Sequence, residues 1–549
     1  VRDILRTVAL MAAKPDVFES LINGSQLDHF ARMLSSEDCW FGYLSGADTF
    51  EAVCRGVDRR ITEYRSFHQY NSALSEEIDA SKTAIGEPVG KVGDCLREAG
   101  VIGQSVPIYV RIDQLERLYR SDVLRRALGS QYRRVINKAI GMRDSRVSYK
   151  IGTRTYAWDD DLTMYGTEDR LEHIRDFRSI TLDELLRRGE NTKSWIFPQF
   201  VEDTFRKRIT HVNARLAANE DLIGKVFGTH SQLPSASECA KQYVRNGNAE
   251  RVLGIDRTWP QPWVDFLFAE FERDPFNAVL AAAWVRQRGS RDHRRLQESP
   301  PIENQPWTRE YWRKERVRQA LLQIAARSAQ RLQWAGKESI LRLSGGNVSI
   351  FLSICHEVWD VFIRADRRKQ PYERRNPLVE GIDADLQSIG IYTASVYWHS
   401  KISEQPKGDD RQRFVNVLGA KFRKWLLDDE SMSYPGRNGF SLANDELDQF
   451  PVIKRFLKDA ADYGDLFEVP HTTKEKDRKL RTKWYVSPIL SPYFQIPEVR
   501  TKEPFYAKIT DVITWLFASN VILPGIAFED GEVTTEGVDE NDLQRRLPF

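Results

Sequence analysis

The sequence is short of several features that would place it quickly. Its five cysteines among 549 residues (Cys39, Cys54, Cys95, Cys239, Cys355) are odd in number and far apart, with no CxxC and no Cys/His ligand spacing. A disulfide framework and a structural zinc are therefore poorly supported, and a reducing cytoplasm fits best. No stretch approaches the ~20 consecutive apolar residues that cross a bilayer, so no membrane partner is expected. Charge of one sign is lacking too: 81 basic residues face 79 acidic ones, a formal +2, and only local patches can speak for nucleic acid. HExxH, GxSxG, a Cys/His nucleophile pattern and a carboxylate cluster with nuclease spacing are all missing. His211, His356 and His399 stand apart from one another and from the cysteines, as packed or surface residues do.

A phosphate-binding loop is also missing. Such a loop needs GxxxxGK[ST], whose backbone N–H groups cradle phosphates while the Lys meets the β/γ oxygens. The nearest string, GEPVGKV at 86–92, has three residues between its glycines, and Val92 cannot ligate Mg2+. We reject it as a Walker A segment. The loop is expected upstream of Val1 or not at all.

What is present suffices for several cores: 41% hydrophobic residues, 11% aromatics and 29% charged. A chain this long suggests roughly three or four domains. The start, VRDILRTVALMAAKPD, reads as an amphipathic helix rather than a signal peptide, and residues 1–105 read as mostly helical. Two β-prone runs, 106–112 and 147–151, flank a helical stretch at about 121–141, the rhythm of a parallel βαβ unit. Helix is predicted over 172–215, and 220–306 reads as a tryptophan-bearing insertion or subdomain. Further helices are predicted over 308–334, after the Gly-Gly-Asn turn at 345–347, and over 410–428 and 441–463. Residues 371–379 read as a linker, 464–495 as a basic hairpin, and the acidic end EDGEVTTEGVDENDL as a mobile tail.

Four segments can carry chemistry. VPIYVRIDQLERL at 106–118 is an apolar strand ending in a carboxylate, where Asp113 would hold a nucleotide's Mg2+ through water and Glu116 would polarise the attacking water. Taken alone, such a strand is as often a core strand with a surface Asp. VSYKIGTR at 147–154 would deliver Thr153 and Arg154 beside Asp113, where an Arg can sense a γ-phosphate by charge pairing. In LRLSGGNVSIFLSICHEVW, Asn347 can cap the following helix or face a nucleotide from a lid; alone, the capping reading is the stronger. In HTTKEKDRKLRTK, Lys474, Lys476, Arg478, Lys479, Arg481 and Lys483 form a basic arm suited to a DNA backbone, diluted by Glu475 and Asp477.

Read in order, IYVRIDQLERL, QYRRVINKAIGMRDSRVSYKIGTR, SITLDELLRR, FPQFVEDTFRKRI, LSGGNVSIFL, YPGRNGFSL and HTT…RTKWYVSPILSPYF resemble the bacterial Orc1/Cdc6-like (ORC-CDC6 family) AAA+ ATPases, over about residues 100–500. The resemblance implies a predominantly helical chain with an α/β AAA+-type P-loop ATPase core, a helical lid and a C-terminal winged helix. The corresponding division is 1–190 core without Walker A, 191–306 helical region with insertion, 307–370 lid, 371–500 winged-helix region, and 501–549 C-terminal segment. It implies ATP and Mg2+ as cofactors: Asp113 at the metal, Glu116 at the water, Thr153 and Arg154 at the phosphate. Gln114 stands where many AAA+ proteins carry the catalytic Glu. Arg133 and Arg134 are candidate trans-acting fingers if the chain forms a homo-oligomer. Relatives of this kind resemble ATP-driven switches in bacterial anti-phage defence that gate an effector protein. The reading that follows is a switch or motor ATPase coupling nucleotide state to duplex DNA or a partner. Its rivals are an inert nucleic-acid-binding adaptor and a protein scaffold on the same fold.

Overall fold

The computed structural model describes the chain except for residues 19–21, 71, 117, 119–127, 155–161, 188–194, 211–220, 246–247, 256–258, 290–298, 302, 371–372, 375, 473–479, 500–502, 525–526, 530–531 and 535–549. Residues 535–543 of the acidic tail and 121–127 of the predicted helix thus lie outside the described residues, whereas the start of the tail is not loose: Ala527–Glu529 pairs antiparallel with Glu532–Thr534. The rest divides into two compact units, Val1–Ile180 and Thr181–Phe549. Helix dominates both, and the sheets are small.

In the first unit, helices α1 (Arg2–Ala13), α2 (Gly24–Ser35), α3 (Phe50–Tyr70) and α4 (Glu87–Glu98) enclose a core that includes Leu5, Phe30, Leu34, Val53, Val92 and Leu96. α2 begins with a reciprocal cap. Asn23 Oδ1 accepts from the Gln26 amide at 2.9 Å and Gln26 Oε1 from the Asn23 amide at 3.0 Å, satisfying two otherwise orphaned donors. The chain then runs through β1 (Ile108–Ile112), α5 (Leu128–Gly141) and β2 (Val147–Ile151). β1 and β2 pair in parallel, Ile108 opposite Val147 through Ile112 opposite Ile151, as the βαβ reading predicts. β1 starts two residues later than predicted; Pro107 has no N–H to give a ladder. Arg97 Nη2 donates to the carbonyls of Val106 (3.1 Å) and Arg146 (3.3 Å), tying together the segments that lead into the two strands.

The second unit opens with α6 (Phe197–Thr210) and α7 (Leu222–Phe227), then α8 (Ala236–Tyr243), α9 (Gln261–Arg273) and α10 (Pro275–Gly289). Trp263 and Trp307 of the tryptophan-bearing region are fully buried in the same cluster as Phe351, Phe414 and Trp484, so this region has no separate core. The long helix predicted at 308–334 is two pieces, a short helix at Glu310–Arg313 and α11 (Val317–Arg327), and it ends before Ala329 at φ +55°. α12 (Gly336–Ser344) and α13 (Val348–Arg367) flank the Gly-Gly-Asn turn, and α14 (Ala384–Ser403) packs on α13. Buried Gln387 fastens α14, donating to the carbonyls of Phe227 (2.9 Å) and Ile382 (2.6 Å) while accepting from the Gly336 amide (2.8 Å).

The last part of the unit runs α15 (Gly408–Asp428), β3 (Gly439–Ala443), a short helix (Asn444–Asp448), α16 (Pro451–Asp462), β4 (Leu466–Thr472), β5 (Leu480–Val486), β6 (Phe505–Tyr506) and α17 (Ile509–Ala518). The helix predicted over 441–463 is corrected here. Gly439 to Ala443 is a wholly buried strand, and Pro451 starts a new helix because it lacks the N–H an interior position needs. The four strands lie in the order β4-β5-β3-β6, β3 antiparallel to β5 and parallel to β6. A buried ion pair, Arg411 Nε to Asp465 Oδ2 at 2.5 Å, links the start of α15 to the start of β4. Among the described residues, no helix is long and apolar enough to cross a membrane.

Candidate nucleotide site and basic face

The parallel register decides what stands at the end of the β1–β2 pair. Ile112 and Ile151 are opposite one another, and the ladder continues past both strands: the Gly152 amide donates to the Ile112 carbonyl at 2.7 Å and the Leu115 amide to the Gly152 carbonyl at 3.3 Å. Asp113 and Gly152 therefore leave the sheet side by side. A Cβ on Gly152 would come within 3.1 Å of Asp113 Oδ1, so glycine provides the room the carboxylate occupies. Asp113 is exposed, and its Oδ1 accepts from the Gln114 amide at 2.8 Å. Gln114 takes φ +62°, uncommon for a residue with a side chain, which turns the chain sharply at this point. Two residues on, the Glu116 side chain is only 14% exposed, and Arg154 Nε stands 3.7 Å from its Oε1. Thr153 is half-buried, its hydroxyl 3.5 Å from the Arg154 carbonyl. Four of the residues singled out from sequence, Asp113, Glu116, Thr153 and Arg154, thus meet at one end of one sheet.

This donor set suits a hard divalent cation shared with phosphates. Mg2+ typically takes one or two carboxylates and completes its shell with water and phosphate oxygens. Among the described residues there is no group of three or more His, Cys, Asp or Glu that would cage a metal unaided. Glu116 Oε2 is buried and has no hydrogen-bond partner among those residues, an acceptor left open at the site.

The rejected GEPVGKV string proves structural. It forms the first turns of α4, where a side chain on Gly90 would collide with the Asp144 carboxylate and the Arg146 guanidinium. Lys91 pairs with Glu37 Oε2 at 2.8 Å. Arg146 bridges Asp144 and Asp94, both at 2.7 Å, and its hydrogen bonds hold the Asp144 carboxyl below the usual range.

Asn347 belongs to the other unit. Its Oδ1 accepts from the amides of Ser349 (2.9 Å) and Ile350 (3.2 Å), capping α13, which commits that oxygen to the helix end.

Of the basic arm, Lys474, Lys476, Arg478 and Lys479 lie outside the described residues. Arg481 is not on an outward face. It is 7% exposed, and its guanidinium donates to the carbonyls of Ser441 (2.9 Å) and Ala507 (3.0 Å) and to Ser441 Oγ (3.2 Å), clasping β3 and the end of β6. Lys483 is half-buried at the middle of β5, opposite Ser441 and Val469.

Sequence reasoning missed a different basic set. α16 buries Ile453, Leu457 and Ala460 and presents Lys454, Arg455 and Lys458 outward. These three line a shallow cleft of about 570 Å³, with Thr482 and Trp484 of β5 and Glu468 of β4 across from them. Lys454 pairs with Asp448 at 2.7 Å and Lys458 with Glu468 at 3.3 Å. The signal was there: in PVIKRFLKDAA the basic residues fall between the apolar stripe positions.

A mostly helical chain whose short parallel strand pair gathers Asp, Glu, Thr and Arg at one end is consistent with an AAA+-like fold. A family model described as ORC-CDC6-like matches residues 127–504, more than half of the chain, and the chain belongs to that family. Membership points to an ATPase-type function with nucleotide binding, typically with Mg2+. Thr153, Arg154, Asn347, Arg481 and Lys483 fall inside the matched stretch, while Asp113 and Glu116 precede it. No curated protein and no solved structure matches the chain.

Proposed function

We propose that the protein is an ATP-dependent switch that couples nucleotide state at the β1–β2 end to engagement of duplex DNA by the C-terminal part of the chain. The observation that carries the reading is the convergence of Asp113, Glu116, Thr153 and Arg154 on one end of the parallel pair. Asp113 would hold Mg2+ through water, with Glu116 the nearer candidate to orient the attacking water and Thr153 and Arg154 facing the terminal phosphate. When bound, Mg2+ would supply charge neutralisation at the phosphates.

For the DNA side, the order helix, strand, short helix, helix, strand, strand from α15 to β5 supports a winged helix, with α16 as its recognition helix and the antiparallel β4 and β5 as its wing strands. Lys454, Arg455 and Lys458 would meet phosphates, with Lys474, Lys476, Arg478 and Lys479 of the sequence between β4 and β5 reinforcing them. An effector protein and a homo-oligomer complete the proposal at the level the resemblance implies.

The test is ATP turnover by the complete gene product, with and without duplex DNA, beside Asp113→Asn. We expect Mg2+-dependent turnover to vanish in the variant while its melting temperature stays near that of the parent, because Asp113 is exposed. Equal turnover in both proteins would remove Asp113 from the site. A second reading, an inert DNA-binding adaptor, draws on Gln114 standing in place of the usual catalytic Glu; it predicts salt-sensitive DNA binding indifferent to ATP.

A further inference from the structure

The first unit ends at Ile180, and the chain crosses into the second once. The first element after that crossing is a helix of five residues, Leu182–Leu186, none of them buried. A helix this short with nothing packed beneath it does not hold itself. Its hold lies at its C-terminal end. The Leu186 carbonyl accepts from Trp195 Nε1 at 2.9 Å, and Trp195 stacks on Phe197 of α6 with ring centroids 6.1 Å apart. Gly346, at φ +87° in the turn between α12 and α13, lies against the same point. A Cβ there would come within 2.8 Å of the Leu186 carbonyl oxygen and 2.9 Å of the Arg187 amide nitrogen. Both are backbone atoms that cannot turn away, so glycine is what lets the linker in. The Arg187 guanidinium, steadied by Asp183 Oδ2 at 3.3 Å, then covers the Phe467 ring of β4 at 4.5 Å. Gly345 completes the joint, since a Cβ on it would meet that same ring at 2.9 Å.

We propose that this clasp is the joint through which the first unit governs the C-terminal basic face, an inference that rests on the coupled-switch reading. A pull on Thr181 draws Leu186 from the Gly346 notch and lifts Arg187 off Phe467. That movement enters the β4–β5 hairpin at Phe467, since β4 pairs with β5 from Leu466 to Thr472 and follows closely on α16. The far side of the notch does not yield with the linker. Asn347 commits its side-chain oxygen to the start of α13, and Arg411 holds Asp465 just before β4. The joint itself is light. Arg187 is 31% exposed, and a cation over a ring at such a site is a weak contact that a modest pull can break. A joint serving only to close the fold would bury apolar side chains, whereas this one sets backbone against glycine and leaves its helix bare.

The experiment uses the complete gene product. It reads hydrogen exchange over residues 182–187, ATP turnover, and duplex affinity by anisotropy without nucleotide, with ADP and with a non-hydrolysable ATP analogue. Arg187→Ala should speed exchange roughly two- to fivefold, the size of one cation–π contact at a partly exposed site. It should also bring the ratio of duplex affinities in the two nucleotides to about one. Turnover and nucleotide-free affinity should stay parental, and Arg187→Lys, which keeps a cation over the ring, should retain the ratio. Gly346→Ala, whose Cβ evicts the linker backbone, should reproduce the loss from the other side of the joint. Parental exchange in both variants would mean that nothing is held there, and overturns the proposal. Faster exchange with an unchanged ratio overturns it too, leaving a tie that carries no signal. A loss of nucleotide-free affinity in Arg187→Ala does the same, making that residue a prop for β4. A parent that binds duplex equally in both nucleotides sinks the coupled-switch reading itself, and this proposal with it.

Discussion

Arg154 Nε lies 3.7 Å from Glu116 Oε1, joining the residue that ends one strand segment to the candidate water-orienting carboxylate of its neighbour. Arg154 is 57% exposed, so water screens the pair and it contributes little to stability, about 0–1 kcal/mol. A weak pair can be exchanged for another. A terminal phosphate is a stronger partner for a guanidinium, and transfer of Arg154 to it would free Glu116.

Arg154→Ala should therefore leave thermal stability nearly unchanged while erasing the preference for ATP over ADP. Equilibrium binding of fluorescent analogues of both nucleotides measures this. Retention of the preference would assign phosphate sensing to another group.

Gly152→Val probes the room beside Asp113. The added Cβ, 3.1 Å from Asp113 Oδ1, obliges that carboxylate to give way slightly, with little cost to stability because both residues are exposed. Turnover should suffer more than folding, because the group that moves is the carboxylate proposed to hold Mg2+. Parallel measurement of turnover and urea midpoint separates the two effects, and a variant with parental turnover would mean that Asp113 does not need its present position.

The Arg411–Asp465 pair gives a pH prediction. Burial pushes the Asp465 carboxyl up to about 6, with Arg411 pulling the other way. The unfolded chain titrates this group near ~3.9, so the native state takes up its proton first. Between about pH 6 and 4 the native state binds more protons, and the contribution of this group to stability rises as pH falls, by roughly 2–3 kcal/mol in all. Asp465→Asn should flatten that part of the profile, at a cost of roughly 3 kcal/mol at pH 7 because the buried Arg411 guanidinium loses its partner. Arg411→Met should cost about 3 kcal/mol at pH 7, because it strips the buried carboxylate of its partner, and should recover as pH falls. Urea titrations at pH 5 and 7 decide; a parental profile that falls with acid through this window would contradict the assignment.

Charge reversal at Arg481 should act on folding. Arg481→Glu places a carboxylate against the carbonyls of Ser441 and Ala507, a buried like-polarity contact that we expect to cost at least about 3 kcal/mol. Arg455→Glu, on the exposed face of α16, should leave the melting temperature within a degree or two and weaken DNA binding, as salt-dependent anisotropy would show.

Arg481 also marks the limit of what the sequence discloses. The β1–β2 pair was legible because short apolar runs ending in Asp113 and Gly152 are local signals, and β2 falls at 147–151 as predicted. The cap at Asn347 was legible for the same reason. The position of Arg481 depends on β6, whose residues lie some two dozen positions away, and on β3, about forty away. Nothing local distinguishes a lysine-like wing residue from an arginine spanning three strands. The buried strand at 439–443 was hidden in the same way: Phe440 and Ser441 have strand partners on both sides, and the polar NDELD that follows looked like more helix.

Where the family match stops has a practical reading. It ends at residue 504, and β6 begins at Phe505. The Ala507 amide completes the edge of β3 by donating to the Ser441 carbonyl at 2.9 Å, and Trp515 of α17 covers Phe440 with ring centroids 5.1 Å apart. A chain trimmed at residue 504 would bare one edge of the sheet, strand Arg481 without one of its carbonyls and uncover an aromatic face, inviting aggregation. The segment the family model matches and the segment that packs as one core are thus different lengths, and any excised C-terminal module needs to run past Val521, itself buried, to keep this sheet and its cover.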